Sequence, residues 1–462
     1  YVYHWQHRIT NPVSPASALT LVSLLAGIIC AATVLQAEDW REWRGADRLG
    51  IWYETGIINT FPDRGLKFTW RVPLGSGYAG PAVADGRVFV LDWKEDQNSR
   101  TLDGTERALA LDEDTGTVLW THEWKTSYQS LMARYAVGPR ATPTVDGNRV
   151  YVVGATGKLF CLDVTSGDVI WEKDYVEEYN TSVPTWGVTS SPLVDGNRLI
   201  AIVGGEPDAL VIAFDKNTGD EIWRAVEVVT EMGYAQPIIY EAGGARQLIA
   251  WHPTALVSLD PETGATYWNQ PWEVGMNMAI ATPVKGDDYL LVSQFYNGSL
   301  MMKLNPDRPT AMELWRGDSR SELPHQTDGL HAVMTTPIIV GDYIYGIGSY
   351  GELRGLDART GTRLWDSGDM TPQERWGTAF MVRHTDRYFV NNGDGDLIIA
   401  RFTPEGDIEL DRTKLIEPTH EVGTSRAWIR TVNWSHPAYA NKHIVHRNDT
   451  EIIRASLAAS DY

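Results

Sequence analysis

The sequence predicts an all-β chain folded as an eight-bladed β-propeller of four-stranded antiparallel blades, its ring closed by an N-terminal strand. Three observations carry this expectation. Tryptophan is over-used, with 19 copies against 9 phenylalanines and 2 cysteines in 462 residues, so one large aromatic has a repeated packing task. A segment of the form Leu-Asp-x-x-Thr-Gly-x-x-x-Trp recurs, its tryptophan-type positions 45 to 52 residues apart, which is the length of one propeller blade. A second unit, an apolar pair followed by a tight turn and a β-rich run, begins each repeat and occurs eight times.

The first kind of unit marks the end of each blade. Trp70, in FTWRV, supplies only the last part of the pattern. Full copies end at Trp120, Trp171, Trp223, Trp268 and Trp365. A degenerate copy, LNPDRPTAMELW, ends at Trp315, and FTPEGDIEL ends at Leu410 with no tryptophan. Asp and Thr-Gly form a tight turn, because Gly accepts positive φ and Asp bonds the nearby backbone. The two last positions of each full copy are apolar, as in Leu119-Trp120 and Ile222-Trp223. Successive strand residues point to opposite faces, so both faces of this strand are expected to be covered by neighbouring blades. Trp70, Trp120, Trp171, Trp223, Trp268, Trp315 and Trp365 are thus the residues expected to dock one blade on the next.

The second kind of unit opens each blade. It begins at Gly80, Thr142, Ser191, Gln236, Thr282, Thr336, Ala379 and His436, with Pro as the following residue in every case but Ala379. The Asp-Gly and Gly-Asp pairs inside these units read as hairpin turns. Counting then closes the ring. The first end, at Trp70, precedes the first start at Gly80, and the eighth start has no tryptophan-bearing end after it. The strand near 68–72 therefore supplies the outer strand of the last blade, which hides the edges and favours a monomer.

Residues 67–462 are assigned to the propeller, 38–66 to an N-terminal extension and 1–37 to a signal peptide or N-terminal anchor. Residues 18–35 are uncharged and mostly apolar, and Leu35-Gln36-Ala37 ends in a small residue, which is the order of a secretory signal. The stretch is also just long enough for an uncleaved anchor. Ile29 before Cys30 argues against a lipid-attachment site. Removal of the signal leaves Cys161 alone, a small buried hydrophobe in an apolar strand. The formal charge of −20 excludes nucleic acid and an anionic membrane surface as main partners. An exported protein of the periplasm or cell envelope is expected, touching a membrane only through its N-terminus.

The repeats resemble those of PQQ-like propellers over roughly residues 40 to 458. That family includes quinoprotein alcohol dehydrogenases and the BamB lipoprotein of outer-membrane assembly. The chain is most similar to exported planctomycete-type members. It shares with them an early Trp43-Arg44-Gly45, the run GPRATPTVDG and a late Trp434-x-His436-Pro437. The dehydrogenase branch implies a vicinal Cys pair against the cofactor and a Glu, an Asn and an Asp around Ca²⁺. Cys161 stands alone, and only Glu206, in Gly204-Gly205-Glu206, resembles one of those ligands. Asp394 and Asp396 alternate with other oxygen donors as in a Ca²⁺ loop, yet sit where sibling blades carry a plain turn. The 11 histidines show no metal spacing, and no nucleophile-elbow or phosphate-loop motif is present.

Trp186, Trp251, Trp376, Trp428 and Trp434 lie outside the docking positions, and Trp186 and Trp376 directly precede inner strands. With Glu206 and Arg140, the residue before ATPTV, Trp186 and Trp376 are the candidates for a ligand site at the channel mouth. A long insertion at 317–332, with His325 and His331, offers a further rim. No catalytic residue and no cofactor are assigned; PQQ with Ca²⁺ is disfavoured. The leading reading is a non-catalytic, exported scaffold that binds a protein or glycan partner, BamB-like by analogy. The alternatives are a quinoprotein oxidoreductase with an incomplete site and a carbohydrate-binding propeller.

Overall fold

The computed structural model describes residues 38–132, 137–424 and 427–462, apart from the side chains of 424 and 427–429. The signal or anchor segment and the Trp428 side chain lie outside that description. Residues 37–462 form one compact unit. Eight four-stranded antiparallel sheets follow one another, seven of them built inner to outer in chain order. The first blade runs through Ala82–Ala84, Arg87–Glu95, Asp103–Asp112 and Val118–Ser127. The last contains Ala438–Ala440, His443–Arg447 and Glu451–Ser456, and its outer strand is Phe68–Pro73. Trp70 pairs with Arg454 and Val72 with Ile452 across that junction, so the N-terminal strand closes the ring.

The tryptophans explain how blade meets blade. Trp70 Nε1 donates to Glu113 O at 2.8 Å, Trp120 to Val164 O at 3.0 Å and Trp171 to Lys216 O at 3.2 Å. Trp223, Trp315 and Trp365 do the same to Pro261, Ala358 and Thr403. Each acceptor lies in the turn of the following blade. In five of these six junctions the ring also lies on the glycine of the Thr-Gly or Ser-Gly turn. A Cβ there would stand 2.6–2.8 Å from the indole of Trp70, Trp120, Trp171, Trp223 or Trp315. The same glycines hold φ of 71–76°, so conformation and contact both demand glycine.

Trp268 departs from this pattern. Its Nε1 donates to Gln247 Oε1 of its own blade at 2.8 Å. The next blade carries Asn305-Pro306-Asp307-Arg308-Pro309 in place of the glycine turn, so no flat seat is offered. Here Gly243 fits against the Arg308 backbone instead, where a Cβ would come within 2.1 Å of the carbonyl oxygen. The expectation that both faces of the outer strands are covered is corrected. The tryptophans of the first four junctions are buried, while Leu119, Ile170, Ile222 and Leu364 are 40–46% exposed. Twisted blades splay with radius, and only the tryptophan face meets a neighbour.

The N-terminal extension enters the channel. Trp40 exchanges backbone hydrogen bonds with Val83 on the free edge of the first inner strand, at 2.9 and 2.8 Å. Arg41 O accepts from Val145 on the second, and the chain returns past Arg383 of the seventh blade to Leu457 of the eighth. Arg48, fully buried, donates to the carbonyls of Ser191, Pro192 and Pro237 and pairs with Glu42 at 2.8 Å. A two-stranded hairpin, His420–Thr424 with Ala427–Val432, is inserted between the seventh and eighth blades. The repeat pattern gives no sign of it.

Candidate functional site

The segment that leads into each inner strand turns toward the axis, and together the eight segments line a cavity of about 370 Å³. The geometry follows one rule. In seven blades the lining residue stands three positions before the proline that opens the inner strand. These are Tyr78, Arg140, Thr189, Tyr234, Ile280, Met334 and Trp434. In the remaining blade Trp376 stands three before Ala379, which replaces the proline. One residue per blade therefore forms a ring around the mouth.

Arg140, Trp186 and Trp376 all line this cavity, and Trp434 joins them. Trp186 meets Tyr234 edge-on at 5.6 Å between centroids, and Trp434 lies 6.3 Å from Tyr78. The remaining candidates are elsewhere. Glu206 is exposed, its carboxylate 3.5 Å from Asn180 Nδ2, and does not line the cavity. Asp396 pairs with Lys414 at 2.8 Å and Arg412 at 3.3 Å, and Asp394 lies in the same turn, its carbonyl accepting from Lys414. Among the described residues no cluster of His, Cys, Asp or Glu could hold a metal ion. Trp251 stacks on Trp272 at 5.7 Å inside a blade junction, a packing role. His331 is buried, its Nδ1 2.9 Å from Phe295 O, and burial lowers its pKa to about 4. Cys161 is buried in the strand Lys158–Asp163.

The sequence reading missed Trp43, Arg375 and His436. The extension carries Trp43 up the channel, where Nε1 donates to Thr282 Oγ1 at 3.1 Å and the ring meets His436 at 4.6 Å. The early Trp43-Arg44-Gly45 and the late Trp434-x-His436-Pro437, near opposite ends of the chain, therefore meet at one place. His436 Nδ1 lies 2.8 Å from Pro437 O, and burial, then the nearby Arg44, lowers its pKa to about 3. It is neutral at pH 7, with Nδ1 donating and Nε2 left as an acceptor. Arg375 pairs with Glu322 at 2.6 Å and lies over the Trp376 ring at 4.4 Å. The inserted hairpin adds Val422 and Val432 against Trp434, and Arg430 ties it to Glu374 and to the Arg375 carbonyl.

Among the described residues, Arg140 and Arg375 are the only charged ones that line the cavity; the rest are mainly aromatic or methionine side chains. Acids stand behind the wall and hold its members in place. Glu106 accepts from Tyr128, Trp124 and Ala155, while Glu231 accepts from the Tyr234 hydroxyl and Glu322 holds Arg375. Burial pushes the pKa of Glu106 up and that of Arg140 down, and each lies in the field of the other.

An eight-bladed propeller with an aromatic cup on its axis is the class these features define. The family model described as outer membrane protein assembly factor BamB matches residues 104–367 and 208–458, and the chain belongs to that family. BamB of Yersinia pestis is 23% identical over 351 residues, 74% of this chain and 85% of its own. BamB of Shewanella oneidensis is 21% identical over 235 residues, 49% of this chain and 56% of its own. A quinoprotein ethanol dehydrogenase of Pseudomonas aeruginosa is 28% identical over 173 residues, 34% of this chain. The matched region spans only about a quarter of that dehydrogenase (26%). Among solved structures, BamB from Moraxella catarrhalis superposes with a TM-score of 0.51 at 16% identity, covering 85% of this chain and 97% of its own. The quinohemoprotein alcohol dehydrogenase from Comamonas testosteroni gives 0.56 at 14% identity, covering 91% and 80%. These likenesses are of fold.

The dehydrogenase relatives raise the question of a Ca²⁺-held quinone. A hard cation needs several oxygen ligands, carboxylates first. Among the described residues no carboxylate lines the cup, and Glu206, Asp394 and Asp396 are not part of it. The residues of the cup do not fit a Ca²⁺–quinone pair.

Proposed function

We propose that this protein is an exported, non-catalytic β-propeller that serves as a binding scaffold in the cell envelope, with a protein of outer-membrane assembly as its partner. The observation that carries the reading is the lining of the axial cup, whose described residues offer aromatic and thioether surface and two guanidiniums but no carboxylate and no thiol. Such a lining binds and orients; it lacks the base and metal ligands that alcohol oxidation requires. Family membership supports the partner class, and the apolar stretch 18–35 supports export. Hydrogen bonding argues against a glycan. Gln236 is engaged by Ser191 N and Thr189 O, and Thr189 donates to Tyr234 O, so few polar groups are left for sugar hydroxyls.

The test is a calorimetric titration of the purified protein with PQQ and Ca²⁺, then alcohols with an artificial electron acceptor, alongside site-specific photocrosslinking in cell envelopes. No Ca²⁺-dependent binding, no turnover and a crosslink to an outer-membrane assembly protein are expected. Ca²⁺-dependent PQQ binding with alcohol turnover would overturn the reading.

A further inference from the structure

Six arginines among the described residues are buried, and five of them have an acid beside them. Arg48 pairs with Glu42 at 2.8 Å, Arg454 with Glu113 at 2.9 Å and Arg354 with Glu352 at 3.5 Å. Asp386 stands in the field of Arg387, and Asp449 and Asp92 stand in that of Arg447. The sixth, Arg44, is 3% exposed. No carboxylate among the described residues pairs with it or stands in its field.

Its hydrogen bonds are few as well. A guanidinium has five N–H donors. Arg44 donates from Nη1 to Arg48 O and from Nη2 to Leu49 O, both at 3.3 Å, so both acceptors belong to its own loop and not to a blade. Gly50 packs on the group, where a Cβ would stand 2.4 Å from Nη2. The fields it shares are those of Tyr240 in the fourth blade and His436 in the eighth. Neither supplies a counter-charge, because burial pushes the Tyr240 pKa up to about 12 and His436 is neutral. Burial lowers the Arg44 pKa to about 10, so the guanidinium is charged at pH 7. A buried charge without an opposite charge is strongly unfavourable, and hydrogen bonds to two carbonyls do not neutralise it.

We propose that Arg44 holds a small inorganic anion, of the size of chloride, inside the propeller as the counter-charge that the chain itself does not supply. The remaining N–H groups of the guanidinium give such an ion hydrogen bonds as well as Coulomb attraction. Burial and the packing of Gly50 select one small ion over a larger oxyanion. Arg44 directly follows Trp43, which rests on Thr282 and His436 beside the cup. The ion therefore neutralises the segment that seats this tryptophan, and it is bound apart from anything the cup itself takes. The inference goes beyond the scaffold reading and does not depend on it.

The probe is sodium chloride, titrated into the full chain after dialysis into sodium gluconate, with ionic strength held constant. The readouts are the thermal unfolding midpoint and, in crystals grown with sodium bromide, the anomalous signal of bromide. The midpoint is expected to rise by at least about 2 °C and then level off, because an ion that binds only the folded chain stabilises it by mass action. Bromide is expected to give an anomalous peak beside the Arg44 guanidinium. Arg44→Met, which keeps the length of the side chain and removes its charge, should abolish both the chloride response and the peak. Arg44→Lys, which keeps the charge, should retain part of the response and so separates a lost ion from a lost fold. Should Arg44→Met fail to fold, the titration and the bromide peak of the unaltered protein decide. A midpoint that follows ionic strength alone, an unchanged chloride response in folded Arg44→Met, or bromide-grown crystals with no peak at Arg44 would overturn the proposal. Each of these results leaves the scaffold reading standing, since that reading is tested by PQQ titration and crosslinking.

Discussion

At the rim, six junctions between blades repeat one contact: an indole N–H bonded to a carbonyl of the next turn. At the axis, the eight equivalent ring positions hold Tyr, Arg, Thr, Tyr, Ile, Met, Trp and Trp. The same repeat thus keeps one answer at its outer end and gives nearly as many answers as blades at its inner end. Packing needs a fixed shape at each junction, whereas an asymmetric site needs a different group from each direction. A propeller supplies both because the two ends of a blade are separated by its sheet. The third component, the extension, belongs to no blade and breaks the eightfold symmetry where the ring alone cannot.

That contrast is sharpest for buried charge. Arg48→Ala on the axis would leave three backbone carbonyls and Glu42 without their donor. The expected loss is about 3–5 kcal/mol. Arg412→Ala at the rim, where the side chain is a third exposed, should cost no more than about 1 kcal/mol. Thermal unfolding of both variants checks the pair. A change below about 1 kcal/mol for Arg48→Ala would mean that the extension is an accessory and not part of the core.

Next in size is the glycine under the indole. Gly264→Ala places a Cβ 2.7 Å from the Trp223 ring at φ +74°, whereas Gly244→Ala meets nothing within 4 Å at φ +69°. The first should cost about 2–4 kcal/mol and the second about 1 kcal/mol. Their difference in denaturant midpoint isolates the ring contact from backbone strain. Equal losses would show that the tryptophan yields freely.

The outer ends of the blades are legible because each of these contacts leaves a local sequence mark: a glycine, an aspartate and a tryptophan at fixed spacing. Ring closure follows from counting those marks. The axis carries its own mark, the residue three before each strand-opening proline, which picks out Tyr78 and Tyr234 as readily as Arg140. It is hard to see in advance because the residues at that position share no chemistry. Trp43 is illegible in a different sense. Its role depends on the path of an extension that has no repeat, and nothing local tells that Arg48 will find carbonyls roughly 140 to 190 residues away in sequence (|i−j| 143, 144 and 189). The hairpin at 420–432 fails for the same reason, as an insertion outside the period.

Acid distinguishes the two regions further. His436 is held neutral, its pKa lowered to about 3 chiefly by burial. The unfolded chain binds a proton near pH 6.5 and the folded one does not, so stability is present at high pH and is lost as pH falls below about 6.5. Between pH 7 and pH 5 this residue alone should cost about 2 kcal/mol. His436→Phe should flatten that part of the pH–stability curve; an identical slope in the variant would place the acid sensitivity elsewhere.

The smallest effect separates the one irregular junction from a regular one. Trp315→Phe and Trp268→Phe each remove one indole hydrogen bond of 2.8 Å, and each should cost about 1 kcal/mol. Their consequences should differ in place. Trp315 bonds across a junction to Ala358 O, so its loss should speed hydrogen exchange at Gly361 and its neighbours in the next blade. Trp268 bonds within its own blade to Gln247, which keeps a second donor in Ser258, so exchange in the fifth blade should stay as it was. Faster exchange there in Trp268→Phe would show that the irregular junction still relies on its tryptophan. The Gly243 contact with Arg308 would then be too weak to hold the two blades by itself.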